Sequence, residues 1–206
     1  AIMVAAHNNA GRKMMVGQCY RLERHSMSVK RLIDDGAIGV PVCVKTGYIS
    51  DYLYFWQTEP QDNFKRPWHH ITSRPMINGG THLIDLASWL MKARPVSVYA
   101  LRRPMQAGVY PGDWVSAIFR YSNDAMMHMD ASFSMIAPHA PHFGLEVYGT
   151  EGSIRGETLY RFRSKEYHLR DFETREIETA KTESHAFKEE VTLFLDAIEK
   201  DEPVFV

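Results

Sequence analysis

The amino-acid sequence predicts an α+β fold in which a large, mainly antiparallel and open β-sheet has its helices packed on one face. Segments with period-two alternation follow one another through hairpin turns over the second half of the chain. Segments with helical periodicity lie outside that run, and such segregation is typical of α+β folds. Hydrophobic residues make up 45% of the 206 residues, which is enough for a substantial core without disulfides or structural metal.

Two helices and a short strand are predicted before residue 40. Residues 1–10 have the pattern of the end of a helix, and residues 13–20 have the pattern of a short buried strand. A second helix is predicted to begin at Ser26 or Ser28, because serine hydroxyls cap helices well, and to end at Gly36.

The middle of the chain predicts a long strand, a loop and a helix. In residues 40–54 the alternate positions share one face of a strand: Val42, Val44, Thr46, Tyr48, Ser50, Tyr52 and Tyr54. Residues 55–77 have no period and contain three prolines, so they predict a loop, and a loop of this length usually serves a site. Residues 79–91 predict a helix with a core-facing stripe of Leu83, Leu86, Ala87 and Leu90.

The rest of the chain is predicted to be mostly strand. The strand-like segments are residues 96–101, 114–121, 125–135, 143–148, 153–155, 159–163 and 167–169. Tight turns are predicted at 122–124 and at 149–152. A final amphipathic helix is indicated by apolar residues at helical spacing: Phe187, Val191, Phe194, Leu195 and Ile198.

The composition indicates which partners and which cellular compartment to expect. The 24 Lys and Arg balance 25 Asp and Glu, and no dense basic run occurs, so neither nucleic acid nor an anionic membrane is expected as a partner. Two cysteines, Cys19 and Cys43, are too few for a disulfide framework or a cysteine-based zinc site. No apolar run is long enough to cross a bilayer. We therefore expect a reduced, cytoplasmic setting.

The segment Asn78-Gly79-Gly80-Thr81-His82-Leu83-Ile84-Asp85 is the strongest candidate for a site. On a helix, Asn78, His82 and Asp85 are spaced by four and three residues and point the same way. An amide, an imidazole and a carboxylate on one helical face suit general acid–base chemistry. The same residues also fit a purely structural role, with Asn78 as the N-cap and His82 as a satisfied polar group.

The predicted loop and the histidine pairs leave further alternatives open. Lys65, Trp68 and His70 are candidates for a sugar pocket in which Trp68 stacks on a pyranose face, or they belong to a surface loop packed by its own aromatic rings. A divalent metal site would need His69 and His70 to act with His82 and Asp85, or His139 with His142. Adjacent histidines point apart, and Pro138 and Pro141 stiffen the second pair, so the sequence favours no metal site.

Four ordered motifs resemble the Gfo/Idh/MocA family of NAD(P)-dependent oxidoreductases. The helix-opening segment matches the family pattern (D/N)-x-G-x-H-x-x-D-x-x-x-x-L at Asn78, Gly80, His82, Asp85 and Leu90. The passage from Tyr20-Arg21 to Gly39, the Gly149-Thr150-Glu151-Gly152 hairpin and the closing helix with Phe187, Glu190 and Phe194 are similar to the other three. Arg74-Pro75-Met76 departs from the pattern, because most members have glycines there.

The resemblance implies the C-terminal domain of a glucose-fructose-oxidoreductase-like dehydrogenase acting on a sugar, polyol or related small molecule. It implies that His82 is the acid–base residue, that Asn78 orients a hydroxyl, and that Asp85 binds substrate or anchors the helix. Tyr20 and Arg21 would contact substrate or cofactor, or form a salt bridge at a domain junction. The resemblance also implies a homo-oligomer, a dimer or tetramer, assembled through the open face of the sheet.

The cofactor implied by the resemblance is NAD or NADP, but the chain has no G-x-G-x-x-G turn for a pyrophosphate. We expect residues 1–20 to be the end of a Rossmann domain and residues 21–206 to be the substrate-binding and oligomerisation domain. This chain alone is then expected neither to bind dinucleotide nor to turn over. Two other classes remain: a non-catalytic binding or oligomerisation domain, and a metal-dependent lyase or isomerase.

Overall fold

The fold is centred on one eight-stranded sheet. The structure is a computed structural model that describes residues 2–50, 75–104, 114–133, 144–163, 171–178 and 185–206. Its elements are α1 (Ile2–Ala10), a 3₁₀ helix (Cys19–Leu22), α2 (Arg24–Asp34), β1 (Pro41–Ile49), α3 (Gly79–Met91), β2 (Pro95–Arg103), β3 (Trp114–Tyr121), β4 (Met126–Ser132), β5 (Glu146–Gly149), β6 (Gly152–Arg155), β7 (Thr158–Phe162), β8 (Phe172–Glu176) and α4 (Ala186–Glu199).

The strand order is β2-β3-β4-β1-β5-β6-β7-β8, and the β1–β4 pair is parallel while every other described pair is antiparallel. Five of the six antiparallel pairs join strands that are consecutive in the chain, and β1–β5 is the exception. The parallel pair arises because β1 enters the middle of the sheet, beside a strand that comes much later in the chain. The predicted α+β fold with a large, mainly antiparallel sheet is confirmed.

The core lies between one face of the sheet and the helices α2 and α3. Alternate residues of the central strands point into it, as period two requires, and they include Val44, Met127, Met129, Val147 and Ile154. The predicted stripe of α3 meets them, with Leu83, Leu86, Ala87 and Leu90 all buried. Among the described residues, no helix covers the other face of the sheet.

Several helices and strands begin and end close to the residues that the sequence predicts. The predicted bounds of α3 and β3 agree with the structure, and α2 begins at Arg24, two residues before the predicted cap. Gly11 and Gly36 have positive φ angles of 57° and 74°, which suits residues that end helices. Asp124 supplies the left-handed position in the turn between β3 and β4, with φ 62°.

The prediction of a strand over residues 13–20 is wrong. Residues 13–18 form no strand, and the 3₁₀ helix begins at Cys19, inside the predicted strand. A buried strand needs a hydrogen-bonded neighbour, none of the described strands pairs with this segment, and the Val16 side chain is 53% exposed.

The predicted closing helix is confirmed as α4. Most of its apolar stripe is exposed, and the helix buries small residues such as Ala186 and Ala197 instead.

The start of α3 depends on a close approach that only glycine allows. A Cβ atom built on Gly79 would lie 2.2 Å from ring carbons of Tyr48, whereas one on Gly80 would meet the flexible ends of Met129 and Met76 at 3.3 Å. The aromatic ring of Tyr48 therefore occupies the space above Gly79, and α3 lies directly against β1.

We expect Gly79→Ala to destabilise the fold by about 2–3 kcal/mol through overpacking, despite the better helix propensity of alanine. Gly80→Ala makes the same chemical change one residue later and is expected to cost less than about 1 kcal/mol, since methionine side chains adapt. Urea unfolding of the two variants measures the difference. Equal losses would mean that the Tyr48 contact does not restrict this position.

Candidate functional site

His82 lies one turn inside α3, with its imidazole half-buried between the helix and the 3₁₀ helix. Its Nδ1 atom lies 2.8 Å from Oε1 of Gln18. The ring of Tyr20 stacks on the imidazole, with centroids 4.6 Å apart and planes inclined by 27°. Burial lowers the pKa of His82, and Asp85 opposes that shift only in part. The imidazole is therefore neutral at pH 7 and available as a proton acceptor.

Asp85 is held by Arg21 in a bidentate ion pair. Nε and one terminal nitrogen of the guanidinium contact the two carboxylate oxygens at 2.7 and 2.6 Å. The side chains are only 17% and 18% exposed, so water screens the pair weakly. The guanidinium also lies 5.8 Å from the ring centre of Trp89, one helical turn along α3. Both oxygens of Asp85 are thus engaged by Arg21.

Asn78 occupies the position before α3 without capping it through its side chain. Its backbone angles are φ −84° and ψ −86°, and its side chain makes no capping hydrogen bond. The hydroxyl of Thr81 donates to the main-chain carbonyl of Asn78 at 2.9 Å. The amide of Asn78 is therefore not committed to the helix end, which leaves it available to a ligand.

Tyr20 begins a row of aromatic rings that extends from His82 into the core. Tyr48 is nearly parallel to Tyr20 at 6.4 Å, and Phe133 meets the edge of Tyr48 at 5.7 Å. Tyr48 and Phe133 are almost fully buried. The row fixes the wall behind His82 through rigid rings, which lose little side-chain entropy when they pack.

The segment before the 3₁₀ helix packs along α4. The Glu190 carboxylate reaches to within 3.3 Å of the Cβ position of Gly17, and one of its oxygens is buried without a hydrogen-bond partner among the described residues. Burial raises the pKa of Glu190. Cys19 is buried beside it, and burial raises the pKa of its thiol to about 11. Cys19 is consequently a packing residue rather than a nucleophile.

Five side chains from two separate segments meet at one place in the structure: Gln18, Tyr20, Arg21, His82 and Asp85. Sequence reasoning misses Gln18, because a strand over residues 13–20 gives it no relation to α3. Its spacing of three from Arg21 matches the spacing of His82 and Asp85, and that match is the signal that the sequence contains. The candidates Lys65, Trp68 and His70 lie outside the described residues, as do His69, His139 and His142.

Two cavities in the described part of the structure are lined by residues other than His82 and its neighbours. A cavity of about 260 Å³ separates α2 from β8, and another of about 370 Å³ lies on the open face around Tyr148, Tyr160 and Phe172. Within the described ranges, no three His, Cys, Asp or Glu side chains are grouped to hold a metal ion. None of the helices described is long and apolar enough to span a membrane.

A family model shows to which protein family the chain belongs. The family model for the GFO/IDH/MocA C-terminal domain matches residues 27–155, which is more than half of the chain. The chain belongs to this family. No curated protein matches it.

Solved structures show the same GFO/IDH/MocA fold at low sequence identity. An oxidoreductase from Agrobacterium radiobacter, in complex with NAD⁺, L-tartaric acid and magnesium, superposes with TM-score 0.75 at 16% identity over 99% of this chain. A UDP-N-acetylglucosamine 3-dehydrogenase from Acidithiobacillus ferrooxidans gives 0.73 at 16% over 99%. A putative myo-inositol dehydrogenase from Sinorhizobium meliloti gives 0.69 at 21% over 98%. This chain covers 60%, 59% and 60% of those chains.

The glycines at the start of α3 are not open to a pyrophosphate. A pyrophosphate needs glycines that let it approach backbone amides at a helix N-terminus. The one glycine pair at a helix start in the described residues, Gly79-Gly80, is covered by Tyr48 on one side and by Met76 and Met129 on the other. These glycines serve the packing of α3, and the arrangement around His82 suits proton transfer.

We expect the Arg21–Asp85 pair to couple by about 2 kcal/mol in a double-mutant cycle of Arg21→Ala and Asp85→Ala, because each single change leaves the other charge poorly solvated. Lys200 and Asp196 form a matched control, since their side chains are 56% and 44% exposed at 2.9 Å. That pair is expected to couple by less than about 0.5 kcal/mol. Urea unfolding gives both values, and equal couplings would contradict a desolvated Arg21–Asp85 pair.

Proposed function

We propose that this chain is the substrate-facing domain of an oxidoreductase that interconverts a hydroxyl carbon and a keto carbon of a sugar, polyol or related small molecule, with NAD or NADP as the hydride partner. His82 is the acid–base residue in this proposal. The observation that supports it best is the half-buried, neutral imidazole of His82, held from behind by Gln18 and Tyr20. Family membership supports the same interpretation.

Oxidation of an alcohol requires a proton acceptor for the hydroxyl while the carbon loses hydride. A neutral imidazole fits this task at pH 7, since burial keeps its pKa below that of an exposed histidine. Asn78 adds an uncharged amide at the same end of α3, and we assign it the role of orienting a substrate hydroxyl. Tyr20 stacks on the imidazole and restricts its rotation.

The names of the solved relatives share one chemical feature. L-Tartaric acid, UDP-N-acetylglucosamine and myo-inositol are all polyhydroxylated molecules with secondary hydroxyl groups. A secondary hydroxyl flanked by further hydroxyls is therefore the substrate class that we propose. Lys65, Trp68, His70 and Asp85 stay proposed as substrate-binding residues, with Asp85 acting from its ion pair with Arg21.

We expect His82→Ala in the intact protein to lower kcat by about 100-fold or more, because general acid–base catalysis contributes at least that factor. Binding of NAD(H) or NADP(H), measured by nicotinamide fluorescence, is expected to stay nearly unchanged. His185→Ala replaces an exposed histidine at the start of α4 and is expected to retain full activity. An intact protein that neither binds nicotinamide nor loses activity with His82 would contradict the proposed function.

The open sheet face supports a second proposal: it joins copies of this chain into a dimer or tetramer. Six large apolar side chains on that face are 42–67% exposed: Tyr99, Leu101, Ile118, Met126, Phe162 and Phe172. These residues lie on β2–β4 and on β7–β8, and clustered apolar exposure of this kind is typical of an assembly surface. A second copy offers the same apolar and aromatic surface in a self-complementary arrangement. The same surface fits the alternative in which the chain has no catalytic role and serves only in oligomerisation.

We expect Ile118→Lys to dissociate the oligomer to a monomer with little loss of monomer stability, since a lysine opposite Tyr99 in the interface must be desolvated. Thr192→Lys, at an exposed position of α4, is the matched control and is expected to leave the molecular mass unchanged. Light scattering after size exclusion measures both. A wild-type protein that is monomeric at all concentrations would contradict the proposed assembly.

A further inference from the structure

Gln18 contacts His82 at Nδ1 of the imidazole. The amide oxygen of Gln18 lies 2.8 Å from Nδ1, and within the described part of the chain it is the one hydrogen-bond partner of the imidazole. Gln18 is itself held in place, since its carbonyl accepts the amide hydrogen of Arg21 at 3.1 Å as the 3₁₀ helix begins. The side chain thus projects from a fixed backbone.

The Gln18–His82 contact and the Arg21–Asp85 ion pair both join residues 18–21 to α3. Gln18 meets His82 and Arg21 meets Asp85, three residues further along both segments. Residues three apart lie on one side of an α-helix and eclipse one another in a 3₁₀ helix. The Arg21–Asp85 ion pair therefore fixes the position of the 3₁₀ helix on α3, and that position brings the Gln18 amide to Nδ1.

The chemistry of the amide oxygen determines where the imidazole proton lies. An amide oxygen only accepts hydrogen bonds, so with the Gln18 amide in this orientation Nδ1 of His82 carries the proton at the contact. Nε2 then has the lone pair that can accept a proton. Asp85 does not take this role, because both of its oxygens face Arg21.

We propose that Gln18 is a positioning residue that holds neutral His82 in the Nδ1–H tautomer and leaves Nε2 as the acceptor of the substrate hydroxyl proton. The catalytic part of this inference rests on the proposed function, whereas the tautomer does not. Among the described residues, the charged and titratable groups around the ring are Tyr20 and Arg21 from the 3₁₀ helix, Asp85 from α3, and Tyr48 from β1 behind Tyr20. The charges of Arg21 and Asp85 compensate each other. The group in direct contact with the imidazole is the uncharged amide of Gln18.

The direct test is the tautomer of His82 in the intact protein, read from imidazole nitrogen shifts after labelling histidine with ¹⁵N. His82→Asn identifies the His82 signals. We expect the wild type to show Nδ1–H. We expect Gln18→Leu to shift the population toward Nε2–H, which free imidazole prefers in water. A wild type in the Nε2–H form, or a tautomer that Gln18→Leu leaves unchanged, would overturn the inference.

A second variant keeps the shape of the residue and changes its charge. Gln18→Glu places a carboxylate at Nδ1, which stabilises the imidazolium and is expected to raise the pKa of His82 by about one unit or more. The same variant is expected to move the acidic limb of the kcat/KM profile upward by the same amount. A residue 18 whose side chain does not reach the imidazole would change neither quantity. An unchanged pKa in a folded Gln18→Glu protein would therefore also overturn the inference.

Activity separates this inference from the proposed function. If the tautomer responds to Gln18 but the intact protein oxidises no polyol and binds no nicotinamide, the positioning role of Gln18 stands and the proposed function fails. If His82-dependent turnover is present and the tautomer does not respond to Gln18, only this inference fails. With both correct, Gln18→Leu lowers kcat by about 10-fold or more while KM changes little.

Discussion

The register between the 3₁₀ helix and α3 is the constraint on which the site depends. Arg21 and Asp85 form a short, poorly hydrated ion pair between the two elements, and each charge would be costly to leave alone there. The pair therefore works as a locating contact more than as a source of net stability. Once it is formed, Gln18 and Tyr20 have only one position relative to His82.

The position of α3 on the sheet has a separate physical origin. Tyr48 stands on the buried face of β1, and its ring fills the space that a side chain at residue 79 would need. The helix can then approach β1 closely, and Leu83, Leu86 and Leu90 reach the core. The ring of Tyr48 also supports Tyr20, which stacks on His82. One aromatic side chain thus links the packing of the helix to the wall of the site.

The sequence predicts those parts of the molecule that local physics determines. The bounds of α3 follow from a glycine entry and a leucine stripe, and the buried face of β1 follows from alternation through Val44, Thr46 and Tyr48. The segment 13–18 is different, because its short run of consecutive apolar residues fits a strand only if another strand pairs with it. The outward stripe of α4 has the same cause, since periodicity shows that a face is apolar without showing what covers it. The contact of Gln18 with His82 spans 64 residues, which is beyond the reach of any local pattern.

The charges around His82 indicate why an amide rather than a carboxylate is its immediate partner. A carboxylate at Nδ1 would stabilise the imidazolium and raise the pKa of His82, so the residue would hold its proton near neutral pH. Asp85 is close enough to have this effect, but Arg21 engages both of its oxygens and compensates its charge. Burial then dominates and favours the neutral ring. The ion pair consequently has two effects: it places the 3₁₀ helix on α3, and it reduces the influence of the nearest carboxylate on the histidine.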